Sequence, residues 1–277
     1  MRDSHSGAEA HRASARALDK SPSVYLAMQA GLRRPEAPAS WSAVSSGATV
    51  VMTPDGRPIR NPITGRKAHV TGIYTSRKAG RSLVHESMNE HAFFQHSEVD
   101  TSVADYFSQP CRFEFVVDGL KRTYTPDCAR LLANGRIEII ELKSDGRALR
   151  DPDYVLKLRW VGAICEATNW TFRVVYGRPL RERSVTNRNV RLVQQYRFAK
   201  YGGRETAAVQ EFLATRTVTT GAFGRLAELL GDARTARAQL CAMMVGRQIH
   251  IDLSVPLSSD SPVASLDRGC RSLEVDQ

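Results

Sequence analysis

The 277-residue chain is poor in sulfur chemistry. Its five cysteines (Cys111, Cys128, Cys165, Cys241 and Cys270) are far apart, odd in number and form no Cys-x-x-Cys pair. That argues against a disulfide framework and a cysteine-rich zinc site, and it fits a reduced cytosol. No apolar run reaches the roughly 18 residues of a membrane span, and the N-terminus has no apolar core of a secretory signal. No G-x-x-x-x-G-K phosphate loop is present, so nothing indicates an ATPase. Internal repeats are also missing. Acids are scarce beside bases, with 29 Asp and Glu against 39 Lys and Arg, a formal charge of +10. Apolar residues at 42% and charged residues at 25% are ordinary globular usage, which argues against a mostly disordered chain. The length allows one large domain or two small ones.

An excess of positive charge points to a polyanionic partner such as nucleic acid. It is unevenly spread. Gly56 to Arg81 carries seven bases and no acid, and Arg178 to Arg204 carries eight bases against Glu182 alone. Each segment contributes +7, so the rest of the chain sums to −4. Solvated loops and linkers are the ordinary alternative for such runs.

Composition and periodicity divide the chain into five stretches. Residues 1–45, rich in Ala, Ser, Arg and Pro, read as a disordered leader with a short helix around Val24–Ala30. Residues 46–177 read as one α/β domain. A helix is predicted over Ser82–Ser97 from Leu83, Met88, Phe93 and Phe94. Strands are predicted over Arg112–Asp118, over Lys121–Asp127 continuing to Leu132, and over Arg136–Lys143, with hairpin turns at Asp118-Gly119 and Asn134-Gly135. Asp151-Pro152 is a helix start, Asp as N-cap and Pro first in the helix, with Val155, Leu158, Val161, Ile164 and Cys165 at helical spacing. Trp170–Tyr176 is a further strand. The order αβββαβ implies a mixed sheet flanked by helices. Residues 178–204 read as a basic, partly helical linker and 258–277 as a flexible tail. Between them, 205–257 holds three helices (Glu205–Ala214, Thr220–Leu230, Ala233–Val245) and a strand (Gln248–Leu253), a winged-helix-like pattern. In it, Arg234 and Arg237 are candidates to enter a DNA groove, although protein docking is favoured.

The informative residues are Thr125-Pro126-Asp127 and Glu141-Leu142-Lys143, either side of Asn134-Gly135. A hairpin there brings Asp127 across from the Glu141 segment, and alternation puts Glu141 and Lys143 on one face with Leu142 opposite. Two carboxylates and an ammonium at one sheet edge suit phosphodiester hydrolysis. Carboxylates hold Mg²⁺ or Mn²⁺, the metal supplies an activated water, and the lysine positions or deprotonates that water and offsets charge. The Leu142 carbonyl is a further candidate ligand. Upstream, Glu86 and Glu90 lie one turn apart on the predicted helix, and either could add a carboxylate. Thr53-Pro54-Asp55 repeats the motif, but Gly56 follows and a type I turn explains it. His85 and His91 are too far apart on one helix to form an HExxH zinc pair and read as surface or DNA-facing. Trp160 and Trp170 read as core or rim.

The pattern resembles the PD-(D/E)xK nucleases, with their restriction-endonuclease-like αβββαβ core. Ser87-x-x-Glu90, Phe107-Ser108-Gln109-Pro110, Tyr124-Thr125-Pro126-Asp127 and Glu141-x-Lys143 narrow it. Together they look like TnsA, the endonuclease subunit of heteromeric transposases, over about Ser76 to Gly177. The resemblance implies Glu90, Asp127 and Glu141 as metal ligands and Lys143 as catalytic, with Gln109-Pro110 marking the family without chemistry. It also implies double-stranded transposon-end DNA cut at its 5′ ends, a partner DDE transposase subunit and an ATPase regulator. Arg77, Lys78 and Arg81, nearest Glu90 in the basic run, are the candidate phosphate contacts. A free-standing nuclease of restriction, repair or defence and a non-catalytic DNA-binding adapter are the alternatives.

Overall fold

Ile137–Lys143 has six of its seven residues buried, Glu138 and Glu141 among them. A strand without an exposed face must be covered on both sides, and the architecture provides that cover. The computed structural model describes residues 23–32, 48–54, 57–60, 70–117, 119–214 and 220–266. The described residues form a mixed α/β fold with several sheets and eight α-helices.

The central sheet has four strands: β4 (Val103–Ser108), β7 (Cys128–Leu132), β8 (Ile137–Lys143) and β9 (Trp170–Tyr176), in the order β4-β7-β8-β9. The first three pair antiparallel, and β9 joins β8 in parallel. That parallel step needs a crossover, supplied by a helix at Pro152–Ala167 that packs on β9. Its start is as predicted: the Asp151 side chain accepts from the N–H groups of Asp153 and Tyr154, and Pro152 follows. Asn169, at φ 59°, turns the chain out of the helix in the left-handed region that Asn tolerates.

The expected three-strand meander is split between two sheets. β5 (Arg112–Val117) and β6 (Leu120–Tyr124) form a hairpin that pairs with β1 (Ala48–Val51). The chain leaves this sheet at Tyr124, and Cys128 enters the central one, with Thr125-Pro126-Asp127 as the passage. Proline lacks an N–H and cannot continue a ladder, which explains the break. The predicted helix over Ser82–Ser97 is also divided. Arg81–His85 is a strand, β3, paired with β2 (Gly72–Ser76), and the helix α2 runs Met88–Val99. Leu83 and His85 alternate with Ser82 and Val84 and are buried in strand fashion.

The leader, linker and tail contain packed structure, including the short helix expected in the leader and the helical character expected in the linker. The leader includes helix α1 (Ser23–Gly31), which covers β4, β7 and β8 with Val24, Tyr25 and Met28 buried. Its Val24 N–H donates to Asp105 Oδ2 at 3.1 Å. With the crossover helix as α3, the basic linker forms α4 (Gly177–Arg181) and α5 (Val185–Tyr196). The buried Val190 and Val193 belong to the second hydrophobic core, beside Leu226, Leu240 and Val263. Bases on the outer face of α5 hid that stripe. The tail supplies β12 (Pro262–Ser265), the centre of a small sheet with β10 (Thr220–Ala222) and β11 (Ile249–Ile251). The helices α6 (Gly203–Ala214), α7 (Phe223–Leu230) and α8 (Ala233–Val245) complete this part.

Buried Glu98 ties the β2–β3 hairpin to α2. It accepts from Ser76 Oγ (2.6 Å), Tyr106 Oη (2.6 Å) and the Arg77 and Lys78 N–H groups (2.7 and 3.2 Å). Removing the carboxylate strands four donors. Orphaned buried donors cost about 1–3 kcal/mol each, though not additively. Glu98→Ala should therefore lower stability by at least about 3 kcal/mol in urea denaturation; a loss under about 1 kcal/mol would refute this role for Glu98.

Candidate active site

The antiparallel register of β7 and β8 builds the site. Cys128 pairs with Ile140, and the Asp127 N–H donates to the Ile140 carbonyl at 3.1 Å, which brings Asp127 abreast of Glu141. The Leu142 N–H donates to Asp127 Oδ2 at 2.6 Å. Leu142 thus meets Asp127 through its N–H, whereas the sequence singled out its carbonyl. Lys143 Nζ stands 2.5 Å from Glu141 Oε1 and 4.7 Å from the centre of the Tyr154 ring.

Glu141 is also held by two phenols. Tyr154 Oη donates to Oε1 at 2.6 Å, and Tyr124 Oη donates to Oε2. Sequence reasoning missed both as site residues, though Tyr124 directly precedes the Thr-Pro-Asp string. Burial, and then the Glu141 carboxylate, push the Tyr124 hydroxyl well above its usual range. Burial pulls the Lys143 ammonium down, but Glu141 more than offsets it, so Lys143 ends above an ordinary lysine and keeps its proton. Its ion pair with Glu141 thus favours the charged form.

Glu90 and Glu86 separate clearly. Ser87 is the N-cap of α2, its Oγ accepting from the Glu90 N–H at 3.2 Å. Glu90 folds back, accepting from Ser87 Oγ at 2.9 Å and the Glu86 N–H at 2.8 Å, a relative of the capping box. Glu86 precedes the helix, so the two are not a turn apart on it. Its Oε1 receives Gln109 Nε2 at 2.7 Å and lies 3.2 Å from the Arg60 guanidinium. Asp127 is raised well above the usual carboxylate range by burial, then by Glu141 and then by Glu90. Glu90 is thus the upstream carboxylate whose charge reaches Asp127. Gln109, a family marker by resemblance, has a structural role at φ 46°, its N–H donating to the Asp127 carbonyl at 3.0 Å.

The donor set suits a hard divalent cation in kind. Asp127 and Glu141 share the Lys143 ammonium, with Glu90 close enough to act on Asp127, and oxygen ligands are those that Mg²⁺ and Mn²⁺ take. Their present hydrogen bonds are to protein, and among the described residues no three His, Cys, Asp or Glu side chains converge closely enough to hold a metal. His85 and His91 do meet, with ring centres 5.0 Å apart, because His85 lies on β3. Contrary to the surface reading, His85 is buried. Trp170 is buried, whereas Trp160 is 45% exposed. The Thr53-Pro54-Asp55 repeat ends outside the described residues at Asp55.

The three cations proposed as phosphate contacts have protein partners. Arg77 donates to the carbonyls of Arg197 (2.8 Å) and Ala199 (2.7 Å) and lies over the Tyr201 ring. Lys78 donates to those of Ser97 (3.0 Å) and Asp100 (2.5 Å). Arg81 donates to the Ala79 carbonyl and lies 3.8 Å from Asp105. Arg234 is exposed on α8, and Arg237 is partly buried. Among the described residues no helix is long and apolar enough to cross a membrane.

Burial lowers the Lys78 ammonium from 10.5 to about 8. Between those values the unfolded chain holds a proton that the folded chain has released, so this group makes stability rise with pH across the window. Wild type should therefore gain stability relative to Lys78→Met between about pH 8 and 10.5. Denaturant titrations across that range test it, and a constant difference would refute it.

Comparison with protein-family models returns no match to this chain, and a search of curated proteins returns none either.

Proposed function

We propose that the chain is a metal-dependent DNA endonuclease of the PD-(D/E)xK type, with a restriction-endonuclease-like core. The observation that carries this reading is the Asp127–Glu141–Lys143 grouping at the end of β8. One strand pairing aligns the two acids, and the lysine sits on the same face as the second. The antiparallel-then-parallel sheet with its helical crossover supports it.

Asp127 and Glu141 would hold Mg²⁺ or Mn²⁺, with Glu90 nearest to add a third carboxylate. The ion would supply a nucleophilic water and stabilise charge on the phosphate. Lys143, held as a cation, offsets charge developing on the scissile phosphate. Tyr124 and Tyr154 fix the orientation of Glu141, as groups behind a metal ligand commonly do.

The narrower reading, a TnsA-like subunit cutting transposon 5′ ends in the cytoplasm beside a DDE transposase subunit and an ATPase regulator, rests on the sequence resemblance. The C-terminal part supports it. Its order helix, strand, two helices, two strands, with β12 between β10 and β11, is that of a winged helix, a module that docks DNA or protein.

The test is cleavage of end-containing plasmid DNA in Mg²⁺ or Mn²⁺, alone and with the two partner subunits. Asp127→Ala and Lys143→Ala should lose at least about 10²–10³-fold without unfolding. Tyr124→Phe and Tyr154→Phe should each lose about tenfold. Undiminished cutting by both Asp127→Ala and Lys143→Ala would overturn the site, and no cutting by wild type with its partners would overturn the activity.

A further inference from the structure

In the parallel pair, Lys143 is the register partner of Tyr176, so β8 and β9 end side by side. The two chain segments must diverge beyond that point. Ser144, Asp145 and a 3₁₀ turn (Gly146–Arg150) continue from β8, and Gly177 and α4 continue from β9. Crevices at the carboxyl ends of parallel strands are where open α/β sheets bind ligands. Here the gap is a cavity of about 240 Å³ lined by Ser144, Asp145, Arg147, Arg178 and Arg181. It begins one residue beyond Lys143. A water takes about 30 Å³ of liquid volume, so a hydrated phosphate group fits.

The floor of the cavity is fixed. The Arg178 N–H donates to the Ser144 carbonyl at 3.2 Å, and Asn89 Nδ2 donates to Ser144 Oγ at 2.9 Å. A Cβ on Gly177 would lie 2.3 Å from the Asn89 side chain, so the strand end and the helix bearing Glu90 are in close contact. The walls are cationic and adjustable. Arg178 is 72% exposed, and its ion-pair partner, Glu182 at 3.7 Å, is 60% exposed. Such pairs are worth little and exchange readily. The Arg181 side chain is exposed and has no partner among the described residues. The third guanidinium, Arg147, is forked onto Asp145, with Nε at 3.0 Å from both carboxylate oxygens and Nη2 at 2.6 Å from Oδ2. Three arginines against one lining carboxylate leave a net charge of +2.

We propose that this cavity is a phosphate subsite that takes a DNA backbone phosphate neighbouring the one at Glu141 and Lys143. Arg178 and Arg181 close on the phosphate, and Asp145 competes with it for Arg147. The placement relative to the cut bond rests on the nuclease reading, while the affinity for phosphate does not. The exposed Arg183, Arg188 and Arg191 come in the next turns and extend the basic surface away from the cavity.

The experiment is fluorescence anisotropy of a short duplex with the full chain in EDTA, over a salt series, so that binding is read without cleavage. Arg178→Ala/Arg181→Ala should bind about tenfold more weakly and lower the salt slope by about one, since the single phosphate contact they share contributes about 0.9. Asp145→Asn, which keeps the side-chain acceptor for the Arg147 N–H, should bind several-fold more tightly. Arg136→Ala/Arg159→Ala, an equal charge loss elsewhere on the surface, should change little. The proposal is overturned if the cavity variants bind like wild type, or if the control pair loses as much. Displacement of the duplex by low millimolar inorganic phosphate at constant ionic strength would mark a free-phosphate site and overturn the strand assignment. Cleavage of the same duplex in Mn²⁺ separates the two readings. If wild type and Arg178→Ala/Arg181→Ala cut and bind alike, the subsite falls and the nuclease stands. If binding falls as expected but no form cuts, the subsite stands and the nuclease falls.

Discussion

The pairing of β8 with both neighbours is the constraint on which the rest depends. On one side, antiparallel register with β7 sets Asp127 beside Glu141, and a Leu142 N–H locks it there. On the other, parallel register with β9 fixes Lys143 against Tyr176 and opens a gap beyond both strand ends. Strand side chains alternate, so a one-residue slip on the β7 side would turn Asp127 to the opposite face from Glu141. The buried apolar residues of β8 (Ile137, Ile139, Ile140 and Leu142) resist such a slip, each worth about 1.5–3 kcal/mol on burial. The same residues thus hold the fold and align the carboxylates.

Burial makes the site expensive. Asp127, Glu141 and Glu90 put three acids near one another, the Lys143 ammonium serving the first two, and Glu90 and Glu141 are buried. Hydrogen bonds carry the cost. Glu141 receives two phenols and the Lys143 ammonium, Asp127 a main-chain N–H, and Glu90 the end of its own helix. Burial raises both Asp127 and Glu90, and the neighbouring carboxylates add to the rise at Asp127, so the crowding pushes these two acids toward their neutral forms.

Local chemistry was the legible part of the sequence. Asp151-Pro152 marked a helix start, Asn134-Gly135 a hairpin, and Thr-Pro-Asp with Glu-x-Lys a cluster across that hairpin. Long-range choices were not legible. Nothing in Arg112–Val117 says that it pairs with Ala48–Val51 instead of the central sheet. Leu83 fits a helical stripe as well as a strand, and only pairing with Tyr74 decides. Charge misled twice. The bases of 178–204 concealed the two valines that α5 buries, and Arg77 and Lys78 spend their donors on carbonyls of the protein itself. Tyr154 could not be tied to Glu141 before the crossover helix was placed.

Those carbonyl contacts also bear on the order of assembly. Arg77 reaches residues 197 and 199, and Tyr74 Oη donates to Gln194 Oε1 at 2.5 Å, so the clasp spans about 120 residues. Every carboxylate of the site lies inside that loop. Contacts so distant in sequence pay their closure entropy late in folding, and a chain emerging from the ribosome cannot make them until α5 is out. The β7–β8 hairpin and the Glu98 link between α2 and the β2–β3 hairpin can form long before, and the later segment then closes over the β2–β3 hairpin. The last contacts to close are thus the ones that bind the segment bearing Glu90 to the C-terminal part of the chain.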